Sequence, residues 1–337
     1  MLQSLILILD ESAPSFCYYE NKTALSSKII TEEILSKTIT FCLKNNLQPT
    51  LLYGSRSLPR SFYKHLDTIP HIKIVPFGYR HIDENSIVIS TKNDLVDIEK
   101  KRSKLNNLIF KIDNDDLSNL SIYFAKLLGH FTRLNIVFSN LELFNSTNYE
   151  ILKEQLAIIE PILIKELSKS TFEINFVTDR WLLSEMNNCG AGIKHITVAP
   201  NGKLYICPAF YYENQQNFIG DVDAGYNIKN EQLLDFQHAP ICRNCDSFHC
   251  KRCIFLNQKT TLEVNTPSSQ QCIVSHIERN FSKKILDELQ TLNKFGNLSP
   301  ISEIDYLDPF ELIINKKNNY IINAQKWNKT QMLQKNL

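Results

Sequence analysis

One short stretch holds four of the nine cysteines of this chain: Cys242-Arg-Asn-Cys245-Asp-Ser-Phe-His-Cys250-Lys-Arg-Cys253. Three more cysteines flank it, with Cys189 and Cys207 before it and Cys272 after it. A thiolate binds soft metals strongly, and neither packing nor disulfide formation requires such crowding. The spacing therefore predicts a pair of metal-cluster sites between Cys189 and Cys272.

The two CxxC pairs of this stretch are separated by only four residues. Zinc fingers place a longer segment between such pairs, so a single zinc ion is a poor match. Dividing the four cysteines between two neighbouring sites relieves the crowding, with Cys272 as the distant last ligand of one site. Arg243, Lys251 and Arg252 lie among the cysteines and would offset the negative charge of thiolate-ligated clusters. The alternative is that these three residues are solvated surface charges.

A β-hairpin is predicted just before this stretch. Residues His195–Ala199 and Lys203–Cys207 have the character of short strands, and Pro200-Asn201-Gly202 supplies the turn. The hairpin returns Cys207 to the start of its partner strand and hence to the neighbourhood of Cys189.

The first half of the chain, up to about residue 180, alternates apolar strand-like runs with helix-like segments. The predicted strands are Ser4–Leu9, Thr50–Tyr53, Ile72–Val75, Ser86–Ser90, Asn107–Ile112, Leu134–Ser139 and Glu173–Val177. The predicted helices are Thr31–Asn45, Arg60–Leu66, Asp94–Lys101, Asp115–Leu128 and Tyr149–Ser168. Near-continuous apolar runs are typical of a parallel sheet covered on both faces, so we expect an α/β fold with an open parallel sheet or a partial barrel.

Composition narrows the possible functions. The 337 residues include 43% hydrophobic and 22% charged residues, and 37 basic against 36 acidic side chains give a net charge of +1. This balance gives no electrostatic reason for a nucleic-acid or membrane partner. The apolar start of the chain is too short to span a bilayer, so we expect a cytoplasmic protein whose cysteines bind metal rather than pair as disulfides. The sequence has no Walker or GxGxxG loop, which argues against a phosphate-binding nucleotide site.

The cysteine pattern resembles the SPASM domain, a C-terminal module of many radical SAM peptide-modifying enzymes. Three further motifs support this resemblance over about residues 185–275: Ala199-Pro200-Asn201-Gly202, Tyr205-Ile206-Cys207-Pro208 and Phe218-Ile219-Gly220-Asp221. Inside the four-cysteine stretch the family usually has longer gaps than this chain. The resemblance implies two auxiliary [4Fe–4S] clusters. It assigns Cys189, Cys207 and Cys253 to the first cluster, and Cys242, Cys245, Cys250 and Cys272 to the second.

The resemblance leaves the fourth ligand of the first cluster undefined. Some family members carry another cysteine just before the first motif position, but this chain has none there. The first cluster would then have an open iron, or a ligand from His195, His249 or elsewhere.

A radical SAM enzyme also needs a CxxxCxxC triad after its first strand, and this chain lacks one. In the equivalent loop Asp10 and Pro14 occupy the first two positions and Cys17 the third. One thiol cannot hold a cluster that binds S-adenosylmethionine, so we expect no reductive cleavage of that cofactor. Residues 1–180 are therefore interpreted as a degenerate radical SAM-like partial (β/α) barrel. Cys17 is expected to be an ordinary buried thiol, and Cys42 a core residue.

The remaining residues complete this division of the chain. Residues 181–295 form the predicted SPASM domain, including a helix over Ile273–Phe295 whose apolar stripe suits docking on the core. Residues 296–337 form a C-terminal extension. Short motifs along the chain also resemble the CXXX repeat peptide maturases, which are SPASM proteins without a working radical SAM centre: Leu5-Ile-Leu-Ile-Leu-Asp-Glu11, Ser15-Phe-Cys-Tyr-Tyr-Glu-Asn21 and His71-Ile-Lys-Ile-Val-Pro76.

Two functions follow from these observations. The first is an iron–sulfur protein that binds a Cys-rich precursor peptide, or exchanges electrons with a radical SAM or other modifying enzyme, during maturation of a ribosomally made peptide. The second is a non-enzymatic interaction module whose cysteines hold zinc. A third interpretation, that the metal sites are structural and the barrel half carries the function, is weakest because no acid–base motif clusters there. The sequence identifies no catalytic residue.

Overall fold

The computed structural model of the protein describes residues 2–21, 28–100, 105–186, 189–296, 298 and 301. Its strands are β1 (Ser4–Ile8), β2 (Gln48–Leu52), β3 (Ile72–Pro76), β4 (Ile87–Ser90), β5 (Leu105–Ile112), β6 (Phe131–Phe138), β7 (Glu173–Ile174), β8 (His195–Val198), β9 (Lys203–Tyr205), β10 (Gly220–Asp221) and β11 (Gly225–Tyr226). Its α-helices are α1 (Glu32–Asn45), α2 (Arg60–Leu66), α3 (Leu95–Lys100), α4 (Leu120–Leu127), α5 (Ser146–Leu167), α6 (Thr178–Leu182), α7 (Pro208–Glu213), α8 (Ile254–Thr261) and α9 (Ser269–Thr291).

All of these strands belong to one sheet, in the order β11-β10-β9-β8-β1-β2-β3-β4-β5-β6-β7. Strands β1 to β7 are parallel and follow one another in chain order. After β7 the chain returns to the opposite edge, where β8 pairs in parallel with β1, and β9 to β11 continue as antiparallel hairpins. The predicted α/β fold with a parallel sheet is confirmed. Strand β8 lies beyond residue 180, so this sheet joins the two predicted halves of the chain.

The two faces of the sheet differ in polarity. On β5, Leu108 and Phe110 are fully buried, while Asn107 and Ile109 on the other face border a cavity. Side chains alternate between the faces of a strand, so the next strand, β6, presents Asn135 to the same cavity. Residues of β1 and β8 also border it, which means that the sheet curves around the cavity. On β5 and β6 one face is thus packed in the core, whereas the other carries polar side chains that border the cavity.

Helix α9 anchors the C-terminal part of the described chain on the sheet domain. Its predicted apolar stripe is confirmed as buried: Ile273, Ile277, Phe281, Ile285 and Leu289. Burial of such side chains contributes about 1.5–3 kcal/mol each. Two hydrogen bonds fix the helix at its middle, because the Ser282 hydroxyl donates to the Val177 carbonyl at 2.8 Å and the Trp181 indole N–H donates to the Ser282 carbonyl at 3.3 Å.

Several element ends differ from the prediction, and two of the differences have a clear local cause. Helix α9 begins earlier, since the Ser268 hydroxyl accepts a hydrogen bond from the Gln271 N–H and caps the helix. Strand β7 ends at Ile174, because the chain turns there through a Val177 N–H to Ile174 carbonyl bond. The predicted extension 296–337 lies almost wholly outside the described residues. In the described part of the chain, no helix combines the length and the apolar character needed to cross a membrane.

Candidate metal centres

Four cysteines border the cavity enclosed by the curved sheet. The cavity has a volume of about 410 Å³, and its lining includes Cys17, Cys189, Cys207 and Cys253. We call these four residues the first cysteine group. Three of them form the predicted first set, and the structure brings these three together from segments far apart in the chain. That their thiolates bind a metal cluster stays a prediction.

The predicted hairpin places Cys207. Strands β8 and β9 pair antiparallel, with Val198 opposite Leu204, and the turn between them contains Gly202 at a φ of +76°. Glycine tolerates this left-handed conformation without steric cost. The Asn201 side chain accepts a hydrogen bond from the Lys203 N–H at 3.0 Å and closes the turn. Cys207 therefore returns to the level of His195, which also lines the cavity.

Cys189 is tied directly to the four-cysteine stretch. Its backbone N–H donates to the Lys251 carbonyl at 2.8 Å, two residues before Cys253. This bond holds the backbone of the two cysteines at adjacent positions on the cavity wall.

Cys17 is the member of the group that sequence reasoning missed. It was expected to be an isolated buried thiol, but it lines the same cavity as the other three cysteines. Its location depends on how the loop after β1 folds over the sheet, and no local sequence signal encodes that. The only available signal was its position as the third residue of the incomplete triad.

The buried thiols of the first cysteine group influence one another electrostatically. Burial, with a smaller contribution from the neighbouring Cys189, raises the pKa of Cys17 to about 12. Burial likewise raises the pKa values of Cys207 and Cys253 well above their usual range, and the other cysteines of the group add to the effect. Several thiolates cannot share this cavity unless positive charge compensates them. The core of an iron–sulfur cluster would supply such charge, and it would accept each thiolate on a different iron.

The second cysteine group consists of Cys242, Cys245, Cys250 and Cys272. Cys242 packs with Met186 and Ala239, and Cys245 and Cys250 lie against the same small apolar cluster. Cys272 lies in the first turn of α9, one helical turn before His276 and on the same helix face. The imidazole Nε2 of His276 is 3.7 Å from the Cys245 sulfur. The last predicted ligand of this set thus lies on the helix whose Ser275 and His276 contact Cys250 and Cys245.

His276 is a second residue that sequence reasoning missed. Burial raises the pKa of Cys245, but hydrogen bonds with His276 and the Ser247 N–H outweigh burial, and the net pKa lies below the usual value. By contrast, burial raises the pKa values of Cys242 to about 12 and of Cys250 to about 11. The pattern Cys-x3-His on one helix face was the signal that could have identified His276.

An ion-pair network supports the stretch between Cys245 and Cys250. The Asp246 carboxylate is buried and lies 3.1 Å from guanidinium nitrogens of both Arg180 and Arg279. Arg180 belongs to α6 and Arg279 to α9. Two separate helices therefore hold this part of the chain in place.

Arg252 lies between the two cysteine groups. Its side chain is completely buried and donates a hydrogen bond to the Leu234 carbonyl. Burial lowers the pKa of Arg252, while Cys242, Cys189 and Cys250 raise it, so cysteines of both groups are its neighbours. The alternative that the basic residues among the cysteines are solvated surface charges is wrong for Arg252. It does describe Arg243, whose side chain is exposed. The backbone of Arg252 has a positive φ of 41°, which is strained for a residue with a side chain. Such backbone strain is frequent at functional positions.

The two histidines considered as ligands lie in different places. His195 lines the first cavity, and burial lowers its pKa to about 4, which leaves the imidazole neutral at pH 7. The Nε2 atom of His249 lies 3.3 Å from the Glu278 carboxylate. Among the described residues, no three Cys, His, Asp or Glu side chains converge closely enough for one metal ion. A single zinc ion would hold its ligands about 2.3 Å from one centre, whereas each thiolate of a cubane cluster binds a different iron.

The loop that carries Cys17 does not fit an S-adenosylmethionine-binding cluster. Burial raises the pKa of Asp10, but hydrogen bonds from Arg56 and Ser12 lower it more, so its carboxylate is ionised and paired. The Arg56 Nε donates to Asp10 at 2.9 Å. A Cβ atom on Gly54 would collide with the Asp10 side chain, so glycine makes room for this pair. The first of the three triad positions is thus filled by an ion pair, and Pro14 offers no ligand.

Comparisons with known proteins reveal a likeness at the level of the fold. No protein-family model and no curated protein matches the chain. A solved structure of native anSMEcpe with bound AdoMet and Cp18Cys peptide is similar in fold, with a TM-score of 0.58 at 12% sequence identity. The likeness covers 87% of this chain and 100% of that one. The likeness is therefore one of overall fold, to a protein solved with AdoMet and a peptide bound.

Proposed function

We propose that the protein is an iron–sulfur protein of peptide maturation, with one [4Fe–4S] cluster at each cysteine group. Residues 1–180 would be a degenerate radical SAM-like barrel, and residues 181–295 a SPASM domain. The protein would bind a ribosomally made, Cys-rich precursor with CXXX repeats, or exchange electrons with a partner modifying enzyme, or both. The observation that carries this proposal is the convergence of cysteines from distant segments on one enclosed cavity.

The charges around the cysteines support cluster binding. A [4Fe–4S] cluster with thiolate ligands is anionic, and it supplies one-electron transfer when bound. Arg252 brings a buried positive charge to both groups, and Lys251 and Arg133 line the first cavity. Arg133 is itself paired with Asp179 at 2.8 Å, which fixes its position. Arg252 and Lys251 thus place positive charge near the proposed clusters.

The polar residues of the cavity support a peptide ligand. Asn107 and Asn135 project from neighbouring strands into a lining that is otherwise largely apolar. Carboxamide groups both donate and accept hydrogen bonds, as a peptide backbone requires. In the described part of the chain, the Asn107 side chain has no hydrogen-bond partner, so its amide is available to a ligand. The peptide in the similar solved structure is consistent with this use of the fold.

The binding of a Cys-repeat peptide tests this function. A fluorescent peptide with several Cys-x-x-x units should bind the anaerobically prepared protein. The same peptide with serine in place of cysteine should bind more weakly, because a thiol is less costly than a hydroxyl to bury in a largely apolar cavity. Loss of one hydrogen bond in Asn107→Ala should weaken binding about threefold to tenfold. Asn106→Ala is the matched control, because Asn106 is next in β5 and faces away from the cavity. Equal affinity for both peptides, or equal loss in both variants, would argue against the proposal.

A further inference from the structure

The loop after β1 is held in place by contacts that involve no metal. The Asn21 side-chain amide donates to the carbonyls of Glu11 and Ala13, both at 2.7 Å, and closes the loop on itself. From the sheet, the Lys111 ammonium of β5 donates to the Ser15 hydroxyl at 2.9 Å. Ser15 in turn donates to the Cys17 carbonyl at 3.0 Å. The backbone of Cys17 is therefore positioned by the sheet domain.

The same loop is also attached to the cysteine-rich segment. The Tyr211 hydroxyl donates to the buried Glu11 carboxylate, and the Tyr212 ring stacks on Tyr19 with 5.4 Å between centroids. Both tyrosines belong to α7, which begins directly after Cys207. The positions of Cys17 and Cys207 are thus coupled through one short helix. This docking aims the Cys17 side chain at the cavity that Cys189, Cys207 and Cys253 border.

The three cysteines predicted for the first cluster are one ligand short of a fully protein-bound cluster. A [4Fe–4S] cluster has four irons, so three protein thiolates leave one iron without a protein ligand. Cys17 is the further cysteine on this cavity, and Cys42, the remaining cysteine outside both groups, lies buried in α1. Cys17 is held in the cavity wall from two sides, which reduces the entropy lost when it binds iron.

We propose that Cys17 is the fourth ligand of the first cluster, which thereby joins the two halves of the chain. This inference rests on the proposed function. Each cysteine would bind iron as a thiolate after releasing its proton to solvent. All four irons would then be ligated by protein, so a precursor thiol would not bind iron at this cluster. The cluster would transfer electrons or hold the loop in place, and the precursor would use the asparagine-lined part of the cavity.

The test compares Cys17→Ala with native protein purified without oxygen. The native protein should contain about eight irons per chain in two cubane clusters, and mild oxidation should leave both intact. Cys17→Ala should lose about one iron to form a three-iron cluster, visible by EPR in the oxidised protein, or lose the whole first cluster. In a variant that keeps four irons in this cluster, added cyanide should bind the exposed iron and change the EPR spectrum of the reduced protein.

Controls separate this inference from a folding defect and from the proposed function. Cys42→Ala removes a buried cysteine outside both groups and should leave iron content and spectra unchanged. Cys17→Ser keeps the size of the side chain and should restore part of the four-iron form, because an alkoxide is a weaker iron ligand. Native spectra and cyanide resistance in Cys17→Ala would overturn the role of Cys17 while leaving the proposed function standing. Native protein without iron would overturn both.

Discussion

The two cysteine groups differ in how much of the chain is needed to assemble them. The first group draws on the loop after β1, the segment before β8, the end of the β8–β9 hairpin and the four-cysteine stretch. The second group needs only that stretch and the start of α9. The cysteines of the first group therefore come from segments far apart in the sequence, whereas those of the second group lie close together in the sequence. A change that loosens the loop after β1 should affect the first group and spare the second.

A comparison of Cys253→Ala with Cys245→Ala tests which cysteines bind which cluster. Of the predictions made here, this one has the largest expected effect. Cys253→Ala should remove the first cluster, and iron should fall from about eight to about four per chain. Cys245→Ala should remove the second cluster instead. EPR spectra of the reduced variants should then show complementary halves of the native signal. Loss of the second cluster alone in Cys253→Ala would contradict the division proposed here.

Arg252→Met tests whether the buried charge between the groups serves both. Removing this positive charge makes the addition of an electron less favourable, so the reduction potentials of both clusters should fall, by something on the order of tens of millivolts. Potentiometric titration monitored by EPR measures the change. Arg243→Met is the matched control because Arg243 is exposed in the same stretch. A shift in one cluster only would show that Arg252 belongs to a single group.

Asp10→Asn tests the anchoring of the loop that contributes only to the first group. Losing the charged hydrogen bonds to Arg56 should lower the free energy of unfolding by about 1–3 kcal/mol at pH 7, measured by urea denaturation. The pKa of Asp10 is lower in the folded protein, so its contribution is complete above about pH 4 and is lost as the pH falls through the folded-state pKa.

Asp97→Asn is the control for this variant, because Asp97 is 70% exposed and pairs with Lys100 on the surface. Its unfolding free energy should change by less than about 1 kcal/mol. If Asp10→Asn lowered the free energy of unfolding by the same amount in acid as at pH 7, the role given to the ionised carboxylate would be wrong. If Asp10→Asn lost the second cluster and kept the first, the claim that this loop contributes only to the first group would be wrong.

Much of the fold was predictable because its signals are local. Apolar runs located β1 to β6 to within a few residues, and the stripe from Ile273 to Leu289 identified the buried face of α9. Pro200-Asn201-Gly202 identified the hairpin. Helix α7 was missed although Pro208 at its first turn is a recognised start signal, since the helix is too short to show periodicity.

The candidate sites were predictable only in part. The spacing of the cysteines predicted a first set, Cys189, Cys207 and Cys253, that lines one cavity, whereas metal binding by either set stays a prediction. It did not reveal Cys17, because that residue reaches the group through long-range contacts of Glu11 and Tyr19 with α7. The spacing also did not show that Arg252 is buried, because this residue is buried only where the two cysteine groups come together in the fold. The inward-facing Asn107 and Asn135 were visible as polar interruptions in the strands, but their significance depends on the curvature of the sheet.

The metal content of the native protein tests the central claim most directly. Iron, acid-labile sulfide and zinc should be measured on protein purified entirely without oxygen, with the chain quantified by amino-acid analysis. The account predicts about eight irons and eight sulfides per chain, with zinc far below one equivalent. A colourless protein with two zinc ions and no sulfide would contradict it.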